Sequence, residues 1–333
     1  MERQLNLFIF SFEIIMRHLA NKIKIYFLLS FILMIFLAIL LKRIYPQPYS
    51  FKDIKSPSSE YFLSYYNDHF SHVIAFHNLS EEFTKSMKQA DVLFLGSSVC
   101  GFAYKKNLIN DFFDNLNLKY FVLCFGNETM DFHVELIKKY DLKPKFVIIH
   151  DSDFYTTYKS GYYDRAVKID KFGARKFIWN SYYSLRLRNI LHKCVPHVRS
   201  IIRNENLADK TWIEYRSKKD GTTIMMWPKQ MSELVPAAWP TENPIKDEEI
   251  LLENASKFYQ LIRKQGAIPI ITASPSSNTT LEFVRKVANK NNVLFIPPVN
   301  DYLETYDGYH LSPEGAEVFT NNFLKELDLI LSN

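Results

Sequence analysis

The sequence predicts an α/β fold, in which a mostly parallel five-stranded sheet lies between two layers of helices. Five short apolar runs have the length and composition of buried strands. Amphipathic stretches of helical period lie between or ahead of them, as βαβ units require. Together these two observations predict a three-layer sandwich. The predicted strands cover residues 91–95, 120–124, 146–149, 268–271 and 293–296, and the predicted helices cover 108–116, 131–140, 248–264, 281–290 and 313–331.

One interruption breaks this alternation, so the predicted domain of residues 91–333 contains an insertion at about residues 154–243. Residues 159–203 hold eleven Lys or Arg and two acids, with many tyrosines between them. This composition indicates either a solvated basic face with tyrosines packed inward, or a surface for lipid headgroups or an anionic glycan. Further on, Lys219-Asp220-Gly221-Thr222 predicts a hairpin turn.

The N-terminus carries an uncharged apolar run over residues 25–41, bounded by Lys24 and by Lys42-Arg43. At about 1.5 Å per residue, its length is at the lower end of what a membrane-spanning helix needs. We therefore expect a short segment over 1–24, one uncleaved transmembrane helix over 25–41 and a juxtamembrane spacer over 42–90. A cleaved signal peptide is the alternative, but no small-residue cleavage site follows the run.

The net charge and the cysteine content limit the kinds of site that the protein can contain. The formal net charge of +5 suits an anionic surface or polymer but is common among ordinary domains. Three cysteines are too few and too scattered for a disulfide framework or a zinc site, so we expect no metal. Cys100 and Cys124 lie within or just past two neighbouring strands, and a single bridge between them is conceivable.

Polar residues at the carboxyl ends of the predicted strands are the candidates for chemistry, because ligands of open α/β sheets bind there. In Gly96-Ser97-Ser98 the glycine allows a sharp turn, and a serine is either a nucleophile or a helix cap. In the next strand end, the Gly126 amide could point into the same crevice, and Asn127 is either part of the site or an N-cap.

Two further motifs contain acidic residues. Asp151 and Asp153, in His150-Asp151-Ser152-Asp153, resemble the metal-binding acidic pair of many glycosyltransferases, although such pairs are frequent by chance. Near the C-terminus, Asp307 precedes His310 by three residues in Asp307-Gly308-Tyr309-His310, just before the last amphipathic helix. A carboxylate at that spacing can fix the imidazole tautomer so that the other ring nitrogen acts as a base.

The order Gly96-Ser97-Ser98, then Gly126-Asn127, then Asp307-Gly308-Tyr309-His310-Leu311-Ser312-Pro313-Glu314-Gly315 resembles the SGNH (GDSL-like) hydrolase superfamily. The resemblance covers about residues 91–332. It implies Ser98 as nucleophile, His310 as general base, Asp307 as orienting acid, and an oxyanion hole from the Ser98 and Gly126 amides. The superfamily's Gly-x-Asn-Asp motif has no clear counterpart, because His150-Asp151-Ser152-Asp153 occupies its place. The Asn that would complete the oxyanion hole is therefore missing or is supplied by Asn127.

The variant Gly-Ser-Ser is similar to that of membrane-anchored relatives such as the D-alanyl-lipoteichoic acid transfer protein and, more loosely, the alginate O-acetyltransferase group. This branch implies an extracytoplasmic, membrane-anchored esterase or acyltransferase that acts on a cell-surface glycan or polymer. The implied partners are an acyl donor, a polymer acceptor, membrane lipid and a polytopic membrane acyltransferase. No cofactor and no nucleic acid are expected. The alternatives are a non-catalytic polysaccharide-binding protein and a metal-dependent glycosyltransferase that uses Asp151 and Asp153.

Overall fold

The computed structural model describes residues 22, 25–34, 60–65, 70–156, 159–178, 213–226, 234–240, 245–276, 280–298 and 302–331 of the 333-residue chain. The chain divides into two compact units, Met1–Ser56 and Pro57–Asn333. In the first unit, residues 25–34 form a helix whose apolar side chains are exposed. The rest of the predicted span 25–41 lies outside the described residues, and no helix within them has both the length and the apolarity to cross a membrane.

The second unit contains all the other described elements. Its strands are β1 (Tyr61–Tyr65), β2 (Val92–Gly96), β3 (Tyr120–Cys124), β4 (Phe146–His150), β5 (Ile213–Ser217), β6 (Thr223–Met226), β7 (Val235–Ala238), β8 (Ile268–Thr272), β9 (Leu294–Ile296) and β10 (Tyr302–Thr305). Its helices are α1 (Phe70–Phe76), α2 (Glu81–Lys88), α3 (Ser98–Ala103), α4 (Lys106–Asn115), α5 (Met130–Tyr140), α6 (Gly161–Lys168), α7 (Glu248–Lys264), α8 (Leu281–Asn291) and α9 (Pro313–Leu331). Residues 171–178 are also helical.

A five-stranded parallel sheet in the order β3-β2-β4-β8-β9 forms the centre of this unit. The predicted sheet is confirmed, and its strands begin and end within one residue of the predicted positions. Gly96 of β2 pairs with Cys124 of β3 and with His150 of β4, so these three strands end level with one another. Because the chain passes from β2 to β3 on one side and returns to β4 on the other, a crevice forms at these carboxyl ends.

Helices cover both faces of the sheet because alternate residues of each strand point to opposite sides. Leu93 and Leu95 of β2 pack into a core with α5, α7 and α8, which we call the first layer. Val92 and Phe94 pack into a separate core with α3, α4 and α9, which we call the second layer. All five residues of β2 are buried, as expected of a central strand of a parallel sheet.

Residues 61–65 and much of 70–90, within the predicted spacer of 42–90, pair and pack with the folded domain. All seven residues of α1 are buried, and Val73 lies in the core of the first layer together with Phe83 of α2. A helix that is buried all round has no polar face, so its sequence lacks the amphipathic period that marks a surface helix. Residues 42–59 lie outside the described part of the chain.

The insertion contains regular structure, of which the sequence predicted only the hairpin turn. β5 and β6 form the hairpin expected at Lys219-Asp220-Gly221-Thr222, and β1 joins it to make a three-stranded antiparallel sheet. The Val122 amide donates to the Asp220 carbonyl at 2.8 Å, so the hairpin turn covers the outer edge of β3. β7 pairs with β10 near the C-terminus. Most of the basic stretch, residues 179–203, lies outside the described residues.

Candidate active site

Ser98 is the first residue of α3, directly beyond the end of β2. The helix cap is supplied by Ser97, whose hydroxyl accepts from the Val99 amide at 3.3 Å. Of the two serines, Ser97 is therefore the helix cap, and the Ser98 hydroxyl is available for another partner. Gly96 is needed at this turn because a Cβ there would lie 3.0 Å from the His150 carbonyl oxygen and against Cys100.

His310 is the partner of Ser98. Its Nε2 lies 2.9 Å from Ser98 Oγ, although the two residues are 212 positions apart in the sequence. The imidazole is mostly buried, with a side-chain exposure of 13%, and the ring of Phe102 packs beside it with a centroid distance of 4.3 Å. Phe102 lies on α3 and so holds the imidazole against the helix that carries the serine.

Asp307 holds the opposite edge of the imidazole, with its Oδ2 2.7 Å from His310 Nδ1. Its Oδ1 accepts from the amides of Tyr309 and His310 at 3.0 and 2.8 Å. The turn is closed at Gly308, which has a φ of +85°. Four residues therefore form a rigid loop that presents the His310 ring, as the Asp-x-x-His spacing predicts.

The protonation of this pair follows from the charge of Asp307. Burial acts to raise the pKa of the Asp307 carboxyl, but hydrogen bonds and charge attraction from His310 and the two amides outweigh it, so the pKa lies below its usual value. An ionised carboxylate can only accept, and so His310 Nδ1 carries the proton when the ring is neutral. Its Nε2 then carries the lone pair that can accept the Ser98 hydroxyl proton.

Gly126 and Asn127 lie in a turn beyond β3, level with Ser98 beyond β2 because Gly96 pairs with Cys124. The Phe125 amide donates to the Gly96 carbonyl at 3.0 Å, which extends the strand pairing towards this turn. Asn127 is exposed and has a φ of +57°. It is not the N-cap of α5, because Thr129 occupies that position.

The His150-Asp151-Ser152-Asp153 segment follows β4 and is mostly inside the protein. Asp151 is buried and its carboxylate accepts from the Phe154 amide at 3.1 Å, whereas Asp153 is exposed. Within the described residues, no group of three or more His, Cys, Asp or Glu side chains could hold a metal ion.

His150 and Ser152 support the site through hydrogen bonds. Burial lowers the pKa of His150 to about 3, so this ring is neutral. Its Nε2 accepts from the Ser274 amide at 3.2 Å, which leaves Nδ1 to donate towards the Tyr104 hydroxyl at 3.4 Å. The Ser152 hydroxyl lies 2.6 Å from that of Ser97 and so fixes the cap of α3.

Three residues with a role in this geometry were not predicted from the sequence: Phe102, Ser152 and His72, whose Nε2 lies 3.1 Å from the Gly126 carbonyl oxygen. For Ser152 a signal existed, because it stands where the related motif has Asn. For Phe102 and His72 no local pattern exists, since their contacts join distant segments. Cys100 and Cys124 form a disulfide, which the sequence left as an open possibility.

Comparison with known proteins finds only distant structural similarities. No family model and no curated protein matches the chain. Solved structures that match include a Bacteroides fragilis NCTC 9343 protein provisionally described as an acylhydrolase, at 15% identity and a TM-score of 0.35, covering 77% of this chain and 98% of that one. Another is a GDSL-like lipase from Bacteroides thetaiotaomicron VPI-5482, at 12% identity and a TM-score of 0.33, covering 78% of this chain and 100% of that one. Such values carry no argument about function, which must come from the site itself.

Proposed function

We propose that this chain is a serine esterase or acyltransferase that works through an acyl-enzyme on Ser98. One observation carries the proposal: the continuous hydrogen-bond chain from Ser98 Oγ through His310 to Asp307, with distances of 2.9 and 2.7 Å. A hydroxyl, an imidazole and an ionised carboxylate in that order make an activated nucleophile.

In the first half-reaction, Ser98 Oγ attacks the ester carbonyl carbon while its proton passes to His310 Nε2. Asp307 stabilises the imidazolium that forms. The tetrahedral intermediate collapses when His310 gives this proton to the departing alkoxide, and the acyl group stays on Ser98. In the second half-reaction, His310 takes a proton from water or from an acceptor hydroxyl, whose oxygen attacks the acyl carbonyl carbon. The bond from that carbon to Ser98 Oγ then breaks, and His310 returns the proton to Ser98 Oγ.

The negative charge on the intermediate needs donors that are already oriented. The Ser98 amide is suited to this role because the first N–H groups of a helix have no partner within it. The Gly126 amide is the second proposed donor, from the neighbouring strand end. Asn127 is the third proposed contributor to the oxyanion hole.

The finer parts of the proposal concern location and substrate. We propose that the catalytic domain is tethered to a membrane by residues 25–41 and works outside the cytoplasm, on O-acyl groups of a cell-surface glycan or polymer. The Cys100–Cys124 disulfide supports an oxidising compartment, because such bonds are rare in the cytosol. The apolar sequence of residues 25–41 supports the tether, and the basic composition of residues 159–203 supports an anionic acceptor.

The test uses the full-length protein, purified in a mild detergent, with a chromogenic acetyl ester. Wild type should turn over, and Ser98→Ala and His310→Ala should each lower kcat by about 10³-fold or more. Ser97→Ala is the matched control at the neighbouring hydroxyl, and it should lose far less. Equal rates for wild type and both triad variants would overturn the catalytic assignment. Failure of a fluorophosphonate probe to label the intact protein would instead favour a binding-only role.

Transfer and hydrolysis are separated by adding an acceptor. With soluble cell-wall oligosaccharide present, transfer predicts an acetylated oligosaccharide by mass spectrometry and less free acetate for each ester consumed. Release of all the acyl groups as acetate at every acceptor concentration would leave esterase activity alone. Addition of a chelator should not change either rate.

A further inference from the structure

The turn that carries Gly126 has an unusual central peptide. The Glu128 amide donates to the Phe125 carbonyl at 3.2 Å, which closes a four-residue turn over 125–128. Asn127, the third residue, has a φ of +57°, whereas Gly126 is not among the residues of positive φ. Positive φ at the third position but not at the second excludes turn types I, I′ and II′ and matches the φ pattern of a type II turn.

Such a turn can change type by rotation of its central peptide. In a type I turn the third residue has a negative φ, which every residue other than glycine prefers, asparagine less strongly than most. The Gly126–Asn127 peptide would then face the opposite way. The orientation seen here therefore needs a contact that holds it.

His72 of α1 supplies this contact. Its Nε2 lies 3.1 Å from the Gly126 carbonyl oxygen and 3.3 Å from Glu128 Oε1. Burial, followed by the charge of Arg216, lowers the pKa of His72 to about 3, so the ring is neutral. A carbonyl oxygen only accepts, and Nε2 is therefore the nitrogen that carries the hydrogen. Glu128 is held in turn by the Ser160 hydroxyl at 2.7 Å.

The direction of the Asn127 amide follows from this bond. The described chain has no cis peptide, and in a trans peptide the C=O and N–H groups point opposite ways. The Gly126 carbonyl points towards His72, which packs among Phe125 and Phe132 of the first layer. The Asn127 N–H therefore points towards the second layer, which contains α3 and Ser98.

We propose that His72 is a positioning residue that holds the Gly126–Asn127 peptide so that Asn127 offers its backbone N–H, rather than its side-chain amide, to the acyl oxygen. This inference rests on the proposed function. It accounts for the loss of the Asn side chain expected in the third motif, because a backbone donor takes its place. It also gives α1 a role in the chemistry, although α1 lies outside the sheet.

The experiment compares His72→Phe with His77→Phe in the full-length protein. His77 is the matched control: it lies one residue past α1, is also buried and makes the same kind of bond, from Nε2 to the Ala166 carbonyl at 2.7 Å. We expect His72→Phe to lower kcat by about 10- to 100-fold with KM changed by less than about threefold. His77→Phe should lower thermal stability to a similar extent and leave kcat close to wild type. His72→Gln, which keeps a donor, should recover most of the lost kcat.

Two substitutions of Asn127 separate its backbone from its side chain. Neither Gly nor Ala has a side-chain amide, but glycine accepts positive φ whereas alanine does not. If the backbone N–H is the donor, kcat of Asn127→Ala should fall below that of Asn127→Gly by about fivefold or more, which corresponds to the cost of positive φ for alanine. Equal losses in both variants would assign the role to the side chain and overturn the proposal.

Hydrogen exchange followed by mass spectrometry tests the clamp without any catalysis. The peptide that covers residues 125–129 should exchange faster in His72→Phe than in His77→Phe and wild type. Equal exchange in all three, or equal kcat in the two histidine variants, would overturn the role of His72. Absence of Ser98-dependent turnover in wild type would instead overturn the proposed function, and the exchange measurement would still decide whether His72 holds the turn.

Discussion

Cys100 and Cys124 are joined by a disulfide, with their Cα atoms 5.6 Å apart, and this bond ties the nucleophile helix α3 to the last residue of β3. The two loops that carry Ser98 and Gly126 are thus linked covalently as well as through strand pairing. We expect thiol titration in denaturant to find one thiol in the isolated protein and three after reduction, because the sequence holds three cysteines.

Replacement of both bonded cysteines by alanine should lower the free energy of unfolding by about 3 kcal/mol, as estimated for a closed loop of this length. It should also lower kcat, because the turn that carries Gly126 is then less firmly held to α3. Urea unfolding and the acetyl-ester assay measure the two effects. Cys194→Ala leaves the bridge intact and serves as the control. Equal stability of wild type and double variant would contradict this prediction.

Much of this architecture was predictable because its signals are local. Helix α7 has a period of apolar residues that fixes its bounds from sequence alone, and the same holds for α9. Asp307 and His310 were found because only three positions separate them. Prediction failed at α1 and at the contacts of His72 and Phe102. These contacts depend on which distant segments meet after folding, and no periodicity or spacing records that.

Asp307→Asn should lower kcat by about 10²- to 10⁴-fold at neutral pH. An amide cannot hold the His310 Nδ1 proton as a carboxylate does, and its NH₂ group favours the wrong tautomer. The acetyl-ester assay measures this loss, with Asp141→Asn, an exposed carboxylate beside Lys143, as the control.

The same substitution has a signed effect on acid stability. The pKa of Asp307 is lower in the folded protein than its usual value, so its contribution to stability is present above the unfolded pKa and is lost as pH falls through the folded pKa. Asp307→Asn should therefore destabilise at neutral pH and have less effect under strongly acidic conditions. A loss of stability that does not change with pH would contradict this expectation.

Glu128 predicts a pH dependence of the opposite sign. Burial raises its pKa to about 7, against the Ser160 hydrogen bond and the attraction of His133. An acid whose folded pKa lies above its unfolded value costs stability progressively as pH rises between the two, from 4.5 to about 7. Glu128→Gln should therefore raise the melting temperature more at pH 8 than at pH 5. Glu249→Gln, an exposed glutamate of α7, should show no such difference. An equal shift at both pH values would exclude a raised pKa for Glu128.

Gly221 tests how firmly the insertion hairpin is docked on the edge of β3. Its φ is +72°, and a Cβ there would collide with the Val122 carbonyl oxygen. Gly266 offers a matched control, because its φ is +83° but no atom lies within 4 Å of its would-be Cβ. Gly266→Ala should therefore cost only the strain of positive φ, about 1 kcal/mol, while Gly221→Ala should cost about 2 kcal/mol more. Urea unfolding measures both. Equal costs for the two glycine variants would show that the hairpin yields without strain and that the edge of β3 is only loosely covered.

The Gly221→Ala variant should also be less active. Arg216 and Thr223 of the hairpin donate to the Cys124 and Gly101 carbonyls, so displacement of the hairpin turn should lower the rate of Ser98-dependent ester hydrolysis.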